Sequence, residues 1–212
     1  MSSATPTIIA GRYELQRRLS QGGMAEVWLA IDRTLDRKVA VKWLKPTLAT
    51  DPIVAERFRR EAVAAASLNH PNIVAVHDVF EQYGRQAVVM QLVDGKSLRQ
   101  LLDNQNRLSP ELTCHIGTAV AIALDNAHDA GFVQRDVKPH NVMLLSTERL
   151  HCKVLDFGLA KPLEVDTTVT EAGWVLGTPA YMAPEQLIEA QPATTHSDGW
   201  GLAVLAYEAL VG

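Results

Sequence analysis

The hydrophobic rhythm of the chain changes once, at Asp94-Gly95, and that change limits the folds open to it. Before it, residues 13–19, 27–32, 38–43, 73–80 and 85–92 read as short strands rich in β-branched and aromatic residues, punctuated by Gly22-Gly23. One helix interrupts them. Residues 53–68 carry apolar side chains at helical spacing, much alanine and the run Glu56-Arg57-Phe58-Arg59-Arg60-Glu61, and His70-Pro71-Asn72 stops it. After the change the pattern is helical, over residues 97–104 and 109–130. Ser109-Pro110-Glu111 supplies a cap and a first-turn proline, and Gly131 a stop. Strands with one helix, then mostly helix, predict an α+β chain. A small β-rich lobe over residues 11–93 is joined by a short hinge to a helical lobe over residues 94–212, with residues 1–10 a loose leader.

A length of 212 residues suits one domain or two small lobes. The net charge of −4 gives no reason to expect nucleic acid or an anionic membrane as partner. Cys114 and Cys152 lack a paired spacing, which fits a reduced, cytoplasmic chain without disulfides. The N-terminus has no basic region followed by a long apolar run, and the longest apolar stretch, residues 202–211, is too short to span a bilayer. The seven histidines show no metal-ligand spacing.

Three charged motifs follow in an order that one reaction would use. Val39-Ala40-Val41-Lys42 puts a lysine on a strand. An inward-facing lysine needs a counter-charge, which Glu61 on the following helix can supply, and ATP phosphates would be its second anionic partner. Alone this motif is weak, because strand lysines more often end in solvent. Arg135-Asp136-Val137-Lys138-Pro139-His140-Asn141 is more specific. Asp136 can orient a substrate hydroxyl and accept its proton, Lys138 can neutralise charge on a transferring phosphoryl, and Asn141 can ligate a metal. A plain polar turn does not need these residues at fixed offsets beside Val142-Met143-Leu144-Leu145. In Asp156-Phe157-Gly158, directly after Lys153-Val154-Leu155, Asp156 suits Mg²⁺ bridging phosphates and Gly158 allows a sharp turn. An isolated Asp-Phe-Gly is common by chance; all three motifs in order, with Ala183-Pro184-Glu185 downstream, are not.

Together with Gly22-Gly23-Met24-Ala25-Glu26-Val27, Asn69-His70-Pro71-Asn72-Ile73-Val74 and Gly177-Thr178-Pro179-Ala180-Tyr181-Met182, these motifs make the sequence resemble the bacterial branch of the eukaryotic-type Ser/Thr protein kinases, from about Tyr13 to the chain end. The resemblance implies a two-lobed kinase-like fold: a small antiparallel N-lobe with one helix, and a mainly α-helical C-lobe that ends after its central helix. It implies transfer of the γ-phosphoryl of ATP, with Mg²⁺, to Ser or Thr hydroxyls of protein substrates. It further implies a homodimer for trans-autophosphorylation, no nucleic acid, no membrane contact within this chain, and any membrane anchor beyond residue 212.

The resemblance also implies roles by position. Residues 19–27, with Leu19, Ser20, Gly22 and Gly23, would cover the phosphates. Val27 and Ala40 would roof the adenine and Met143 would floor it. Met90 would be the gatekeeper, and the backbones of Gln91 and Val93 would bond the adenine edge. Lys138, two residues after Asp136, is the Ser/Thr pattern, and Thr178 would hydrogen-bond the catalytic Asp and Lys. Residues 156–185 would form the activation segment, with Thr167, Thr168 and Thr170 as phosphorylation sites whose phosphate pairs with Arg135.

Three departures stand out. Ser20 and Ala25 occupy glycine positions of the phosphate loop, while Gly22 is kept. Gln134 replaces the His that packs beneath the Phe of Asp-Phe-Gly; it can bond the same backbone but loses the ring. The sequence stops after the run 198–210, the family's central large-lobe helix, and lacks the further helices and the Arg that pairs with Glu185. The expectation is a fragment, or a truncated product with an exposed apolar patch that expresses poorly or self-associates. A pseudokinase acting as a nucleotide-binding or scaffolding module is therefore the alternative, against which stand Lys42, Glu61, Asp136, Asn141 and Asp156. A small-molecule phosphotransferase is disfavoured by the Gly-Thr-Pro to Ala-Pro-Glu segment.

Overall fold

The computed structural model describes residues 7–145, 151–157, 179–188 and 192–212. The chain divides into two compact units, Met1–Ser67 with Ala75–Leu92, and Leu68–Val74 with Val93–Gly212.

In the first unit, alternating strand residues build one antiparallel sheet. Its strands are β1 (Ile8–Ile9), β2 (Tyr13–Gln21), β3 (Ala25–Asp32), β4 (Arg37–Leu44), β5 (Val76–Gln82) and β6 (Arg85–Gln91), in the spatial order β1-β2-β3-β4-β6-β5. Ile9, Tyr13, Ala30, Val39, Val41, Trp43, Ala87 and Val89 cluster on one face. Ile8 and Ile9 pair with Glu14 and Tyr13, and Ile9 is fully buried. The loose leader expected over residues 1–10 therefore does not extend to these two, because β2 offers them an open edge and an apolar slot. The single expected helix is α2 (Pro52–Ala65), preceded by one extra turn, α1 (Pro46–Ala49). Asp51 caps α2 by accepting the Ile53 amide at 2.9 Å, and Phe58, Ala62 and Ala65 form its buried stripe.

A polar anchor closes the outer end of the sheet. The carboxylate of Asp32, fully buried, receives both Nε and Nη2 of Arg12 at 2.7 Å. That fork holds its pKa down at about 2, helped by the amides of Leu35 and Thr34.

Among the described residues, the second unit packs four helices with a small sheet. The helices are α3 (Leu98–Gln105), α4 (Pro110–Asp129), α5 (Pro184–Ile188) and α6 (Thr195–Val211). Ser109 Oγ accepts the Leu112 amide and starts α4, as its place before Pro110 predicts. Ile116, Val120, Ala123, Leu124 and Ala127 of α4 meet Leu205 and Ala209 of α6 in the core. The sheet was not expected: β7 (Gly95–Ser97), β8 (Val142–Leu145) and β9 (His151–Val154) pair antiparallel in that order. Gly95, read from sequence as a break, lies inside β7. A Cβ there would stand 2.0 Å from the Leu144 carbonyl oxygen, so the glycine serves a close backbone approach.

The boundary expected between residues 93 and 94 also needs correction. Leu68–Val74, placed by the sequence reading in the first lobe, belongs to the second unit. Val74 donates to Val154 O at 3.1 Å, Val154 to Asn72 O at 2.7 Å, Asn72 Nδ2 to Cys152 O at 2.9 Å, and Lys153 Nζ to Ile73 O at 2.9 Å. Burial lowers the Lys153 ammonium pKa. No helix among the described residues is long and apolar enough to cross a membrane.

Candidate active site

In the first unit, sheet register gathers the residues expected around a nucleotide. Val27 lies opposite Lys42, and Ala40 opposite Met90. With a side-chain period of two, all four share the sheet face opposite the Val39–Val41–Trp43 cluster. Ala40, Lys42 and Met90 are buried. Leu19 sits at a bulge between the Arg18–Trp28 and Ser20–Val27 pairs, which re-aims the end of β2. Gly22 donates to Ala25 O at 3.0 Å, closing the β2–β3 turn. Neither Gly22 nor Gly23 has a positive φ, and a Cβ on either would meet nothing closer than 3.6 Å. The protein itself does not require glycine there, which fits a loop kept bare for a phosphate-bearing ligand.

Two contacts in this unit bear on the expected site. The Gln91 N–H donates to Ala75 O at 2.8 Å, so a bond from the Gln91 backbone to an adenine edge falls to its carbonyl. Glu61 on α2 accepts Arg57 Nε at 3.0 Å, a partner the sequence reading did not name.

In the second unit the loop after α4 brings three of the predicted residues together. Lys138 Nζ stands 2.7 Å from Asp136 Oδ2. Asn141 Nδ2 donates to the Asp136 carbonyl at 2.8 Å and to Asp136 Oδ2 at 2.9 Å. A 3₁₀ turn over Pro139–Asn141, closed by Asn141 N to Lys138 O at 2.9 Å, folds Asn141 back onto Asp136. One carboxylate thus faces a cation and an amide donor. The same amide carries Asn141 Oδ1, a carbonyl-type acceptor. With the Asp156 carboxylate it makes two hard oxygen donors, a set that suits Mg²⁺, which takes few protein ligands and completes its shell with phosphate and water.

Asp156 follows β9 with φ 57, a left-handed conformation that Asp tolerates better than most residues. The residue before it is held at both ends: Leu155 N donates to Asn141 O at 2.8 Å, and Gln134 Nε2 donates to Leu155 O at 2.6 Å. Phe157, after it, is buried in the core of the second unit. Met143 lies half-buried on β8, opposite Ser97 and Lys153, and Val93 is half-buried just before β7. Gly158, Thr167, Thr168, Thr170 and Thr178 lie outside the described residues.

The sequence reading missed the group that holds this loop. Asp198, on α6, is 1% exposed. Its Oδ2 accepts the Gln134 amide and lies 2.8 Å from His128 Nε2; its Oδ1 accepts the Arg135 amide. The signal was present: an Asp inside an apolar helical run must find partners. Also missed was Glu208, which receives Tyr181 Oη on one carboxylate oxygen and Arg99 Nη1 on the other, each at 2.5 Å. Burial, and then Glu208, push the Tyr181 phenol up. Tyr181, Met182, Val137 and Gly201 line a pocket shared with Asp136. A Cβ on Gly201 would stand 3.0 Å from Val137 Cβ, so the helix needs glycine where the loop crosses it.

Comparison with known proteins places these features in context. The protein kinase domain family matches residues 13–212. The chain is 45% identical over 210 residues to a probable serine/threonine-protein kinase of Streptomyces coelicolor, covering 97% of this chain and 31% of that protein. It is 44% identical over 219 residues to the serine/threonine-protein kinase PknA of Mycobacterium tuberculosis, covering the whole of this chain and 49% of PknA. The chain therefore spans half or less of the length of these relatives. Among solved structures, the PknI kinase domain of M. tuberculosis aligns with a TM-score of 0.79 at 33% identity, covering 99% of this chain and 77% of that one.

Proposed function

Because the chain belongs to the protein kinase domain family, we propose that it moves the γ-phosphoryl of ATP to Ser or Thr hydroxyls of protein substrates. The observation that carries this reading is the loop in which Lys138 Nζ and Asn141 Nδ2 both stand within 2.9 Å of Asp136 Oδ2. The carboxylate of Asp136 orients the acceptor hydroxyl and takes its proton as the hydroxyl oxygen bonds to phosphorus and the bond to the leaving ADP oxygen breaks. Lys138 neutralises charge on the equatorial oxygens, and Lys42 pairs with the other phosphates while Glu61 steadies it. Asp156 and Asn141 Oδ1 would hold Mg²⁺, which would supply positive charge to the phosphates. Gly22 and Gly23 admit the phosphates close to the backbone, and Val27, Ala40, Met90 and Met143 supply apolar contact for the adenine. Its polar edge meets the backbones of Gln91, through the carbonyl, and Val93.

Asp156→Asn in the full-length protein is expected to abolish Mg²⁺-dependent transfer. Asp136→Asn is expected to abolish transfer while leaving ATP binding within a few-fold. Full turnover in either variant defeats the reading. Retained nucleotide binding with no turnover in the parent would favour the pseudokinase instead.

Trans-autophosphorylation between two copies, at Thr167, Thr168 or Thr170, extends the same proposal. Phosphate adds roughly −1.5 to −2 charge and three strong acceptors, a match for the guanidinium of Arg135 next to Asp136. Mass spectrometry after incubation with Mg·ATP locates the phosphates, and the triple Ala variant is expected to phosphorylate an external substrate severalfold more slowly. Parent-like rates in that variant would remove the regulatory part alone.

A further inference from the structure

We propose that Arg85 is the positioning residue for the phosphate-covering turn between β2 and β3, a clamp that reaches from β6 across the end of β4 to Glu26, beside that turn. The inference rests on the phosphoryl-transfer reading above, in which Gly22 and Gly23 meet the phosphates, and it gives a role to a residue that reading leaves out.

The sheet register sets the clamp on the face away from the nucleotide. Glu26 lies opposite Trp43, and Trp43 opposite Ala87. Arg85 stands two residues before Ala87 on β6, so Glu26, Trp43 and Arg85 share the face opposite Val27, Lys42 and Met90. The Arg85 guanidinium carbon lies 4.2 Å from the centroid of the Trp43 ring, stacked over it. Its Nη2 is buried, makes no hydrogen bond among the described residues, and stands 3.5 Å from Glu26 Oε2. A methionine would cover Trp43 without burying that nitrogen. What the arginine adds is a charge held toward Glu26. The two side chains are 17% and 20% exposed, so water and salt screen them less than an open surface pair.

Arg85 reaches the turn by two routes. Leu44 lies beyond Trp43–Ala87, the last pair that β4 makes with β6. There Arg85 Nε donates to Leu44 O at 2.8 Å. The other end of that same peptide group, the Lys45 N–H, donates to Met24 O at 2.9 Å, inside the turn. One rigid peptide plane thus connects the guanidinium to the turn. The second route runs through Glu26, whose neighbour Ala25 offers the carbonyl that the Gly22 N–H bonds at 3.0 Å. Arg18 on β2 also stands 3.3 Å from Glu26 Oε1, but its side chain is 49% exposed and its hold is correspondingly weak. Gly22 and Gly23 carry no side chain to fix the turn themselves, so its place over the phosphates depends on these anchors.

The test compares variants of the full-length protein. Arg85→Met keeps the cover on Trp43 and loses both the Leu44 bond and the charge. Glu26→Gln keeps the shape and loses the charge, Arg85→Lys keeps the charge alone, and Arg18→Met is the control. Two readouts need no turnover: amide exchange at residues 22–26, and affinity for a non-hydrolysable ATP analogue set against affinity for adenosine, which has no phosphate to cover. In Arg85→Met, exchange at residues 22–26 should rise about fivefold or more while β5 and α2 exchange as in the parent. Affinity for the ATP analogue should fall about fivefold with adenosine affinity unchanged. Glu26→Gln should lose about threefold, and the double variant should be little worse than Arg85→Met. Arg85→Lys should lie between the parent and Arg85→Met, and Arg18→Met should stay within about twofold of the parent. The KM for ATP should rise as analogue affinity falls, with kcat and the peptide KM changed by less than about twofold. Parent-like exchange at residues 22–26 in Arg85→Met overturns the proposal. So does a rise spread equally over β5 and α2, a loss of adenosine affinity as large as that for the analogue, additive losses in the double variant, or an Arg18→Met variant as impaired as Arg85→Met. If the parent transfers no phosphoryl but Arg85→Met still loses analogue affinity and not adenosine affinity, the kinase reading fails and the clamp stands. If the parent binds neither compound, the kinase reading fails and exchange at residues 22–26 decides the clamp.

Discussion

The carboxylate of Asp198 accepts the backbone amide of Arg135 at 2.8 Å, and with that bond it fixes a residue whose φ of 66 would otherwise be unfavourable for a side chain of this size. The same carboxylate takes the Gln134 amide and lies against His128, so a single buried charge on α6 holds the start of the catalytic loop and the end of α4. Asp198→Ala is therefore expected to cost roughly 2–4 kcal/mol, since two buried amides lose their acceptor. Denaturant midpoints give the cost, and kcat should fall more than KM because Asp136 is next in the chain. Asp198→Asn keeps one acceptor oxygen and should fall between. An Ala variant as stable as the parent would show that the amides find other partners.

Lys42 and Glu61 are expected to act as a unit. Lys42→Met and Glu61→Ala should each lower turnover by roughly 10²-fold, with the double variant little worse than either. Arg57 also bonds Glu61, so Arg57→Ala should be milder and affect stability more than rate. Steady-state kinetics on the cycle decides the matter: additive losses would separate the two residues.

Gly95→Ala tests the backbone approach in the small sheet. The added carbon would lie 2.0 Å from Leu144 O and 2.8 Å from its carbonyl carbon, so β7 must move off β8. A loss of roughly 3 kcal/mol is expected in chemical denaturation. A variant with an unchanged midpoint would mean that the strand shifts freely.

Acid stability should depend on Asp32. Its folded-state pKa, about 2, lies below the ordinary 3.8 because Arg12 grips the ionised form. A depressed carboxylate stabilises the fold above its unfolded pKa, and that contribution disappears as pH falls from 3.8 through about 2. Asp32→Asn should melt earlier at neutral pH and show a flatter acid limb of Tm against pH over that window. Parallel acid limbs in parent and variant would contradict the assignment.

Local signals in the sequence were read well where the deciding interaction is itself local. Ser109 before Pro110 marks the start of α4 because a cap bonds within its own first turn. The Asp136, Lys138 and Asn141 constellation was legible because one short turn builds it. What escaped was decided at long range. Gly95 looks like a break until Leu144 arrives beside it. Asp198 hides in an apolar stretch whose periodicity says only that the helix is buried, and Glu208 gains meaning only from Tyr181 and Arg99.

The hydrogen bonds of Leu68–Val74 have a consequence for how the protein is made. Asn72 and Ile73 find Cys152 and Lys153 at a separation of 80 residues. At about 5–20 residues per second on the ribosome, this segment waits roughly 4–16 s for its partners to be synthesised. During that interval the strands on either side of it can already pair, so the nascent first unit carries an exposed loop with Ile73 and Val74 open to chaperones and proteases. Neither unit corresponds to a contiguous stretch of the gene, and an expression fragment ending at Leu92 would keep that loop exposed permanently.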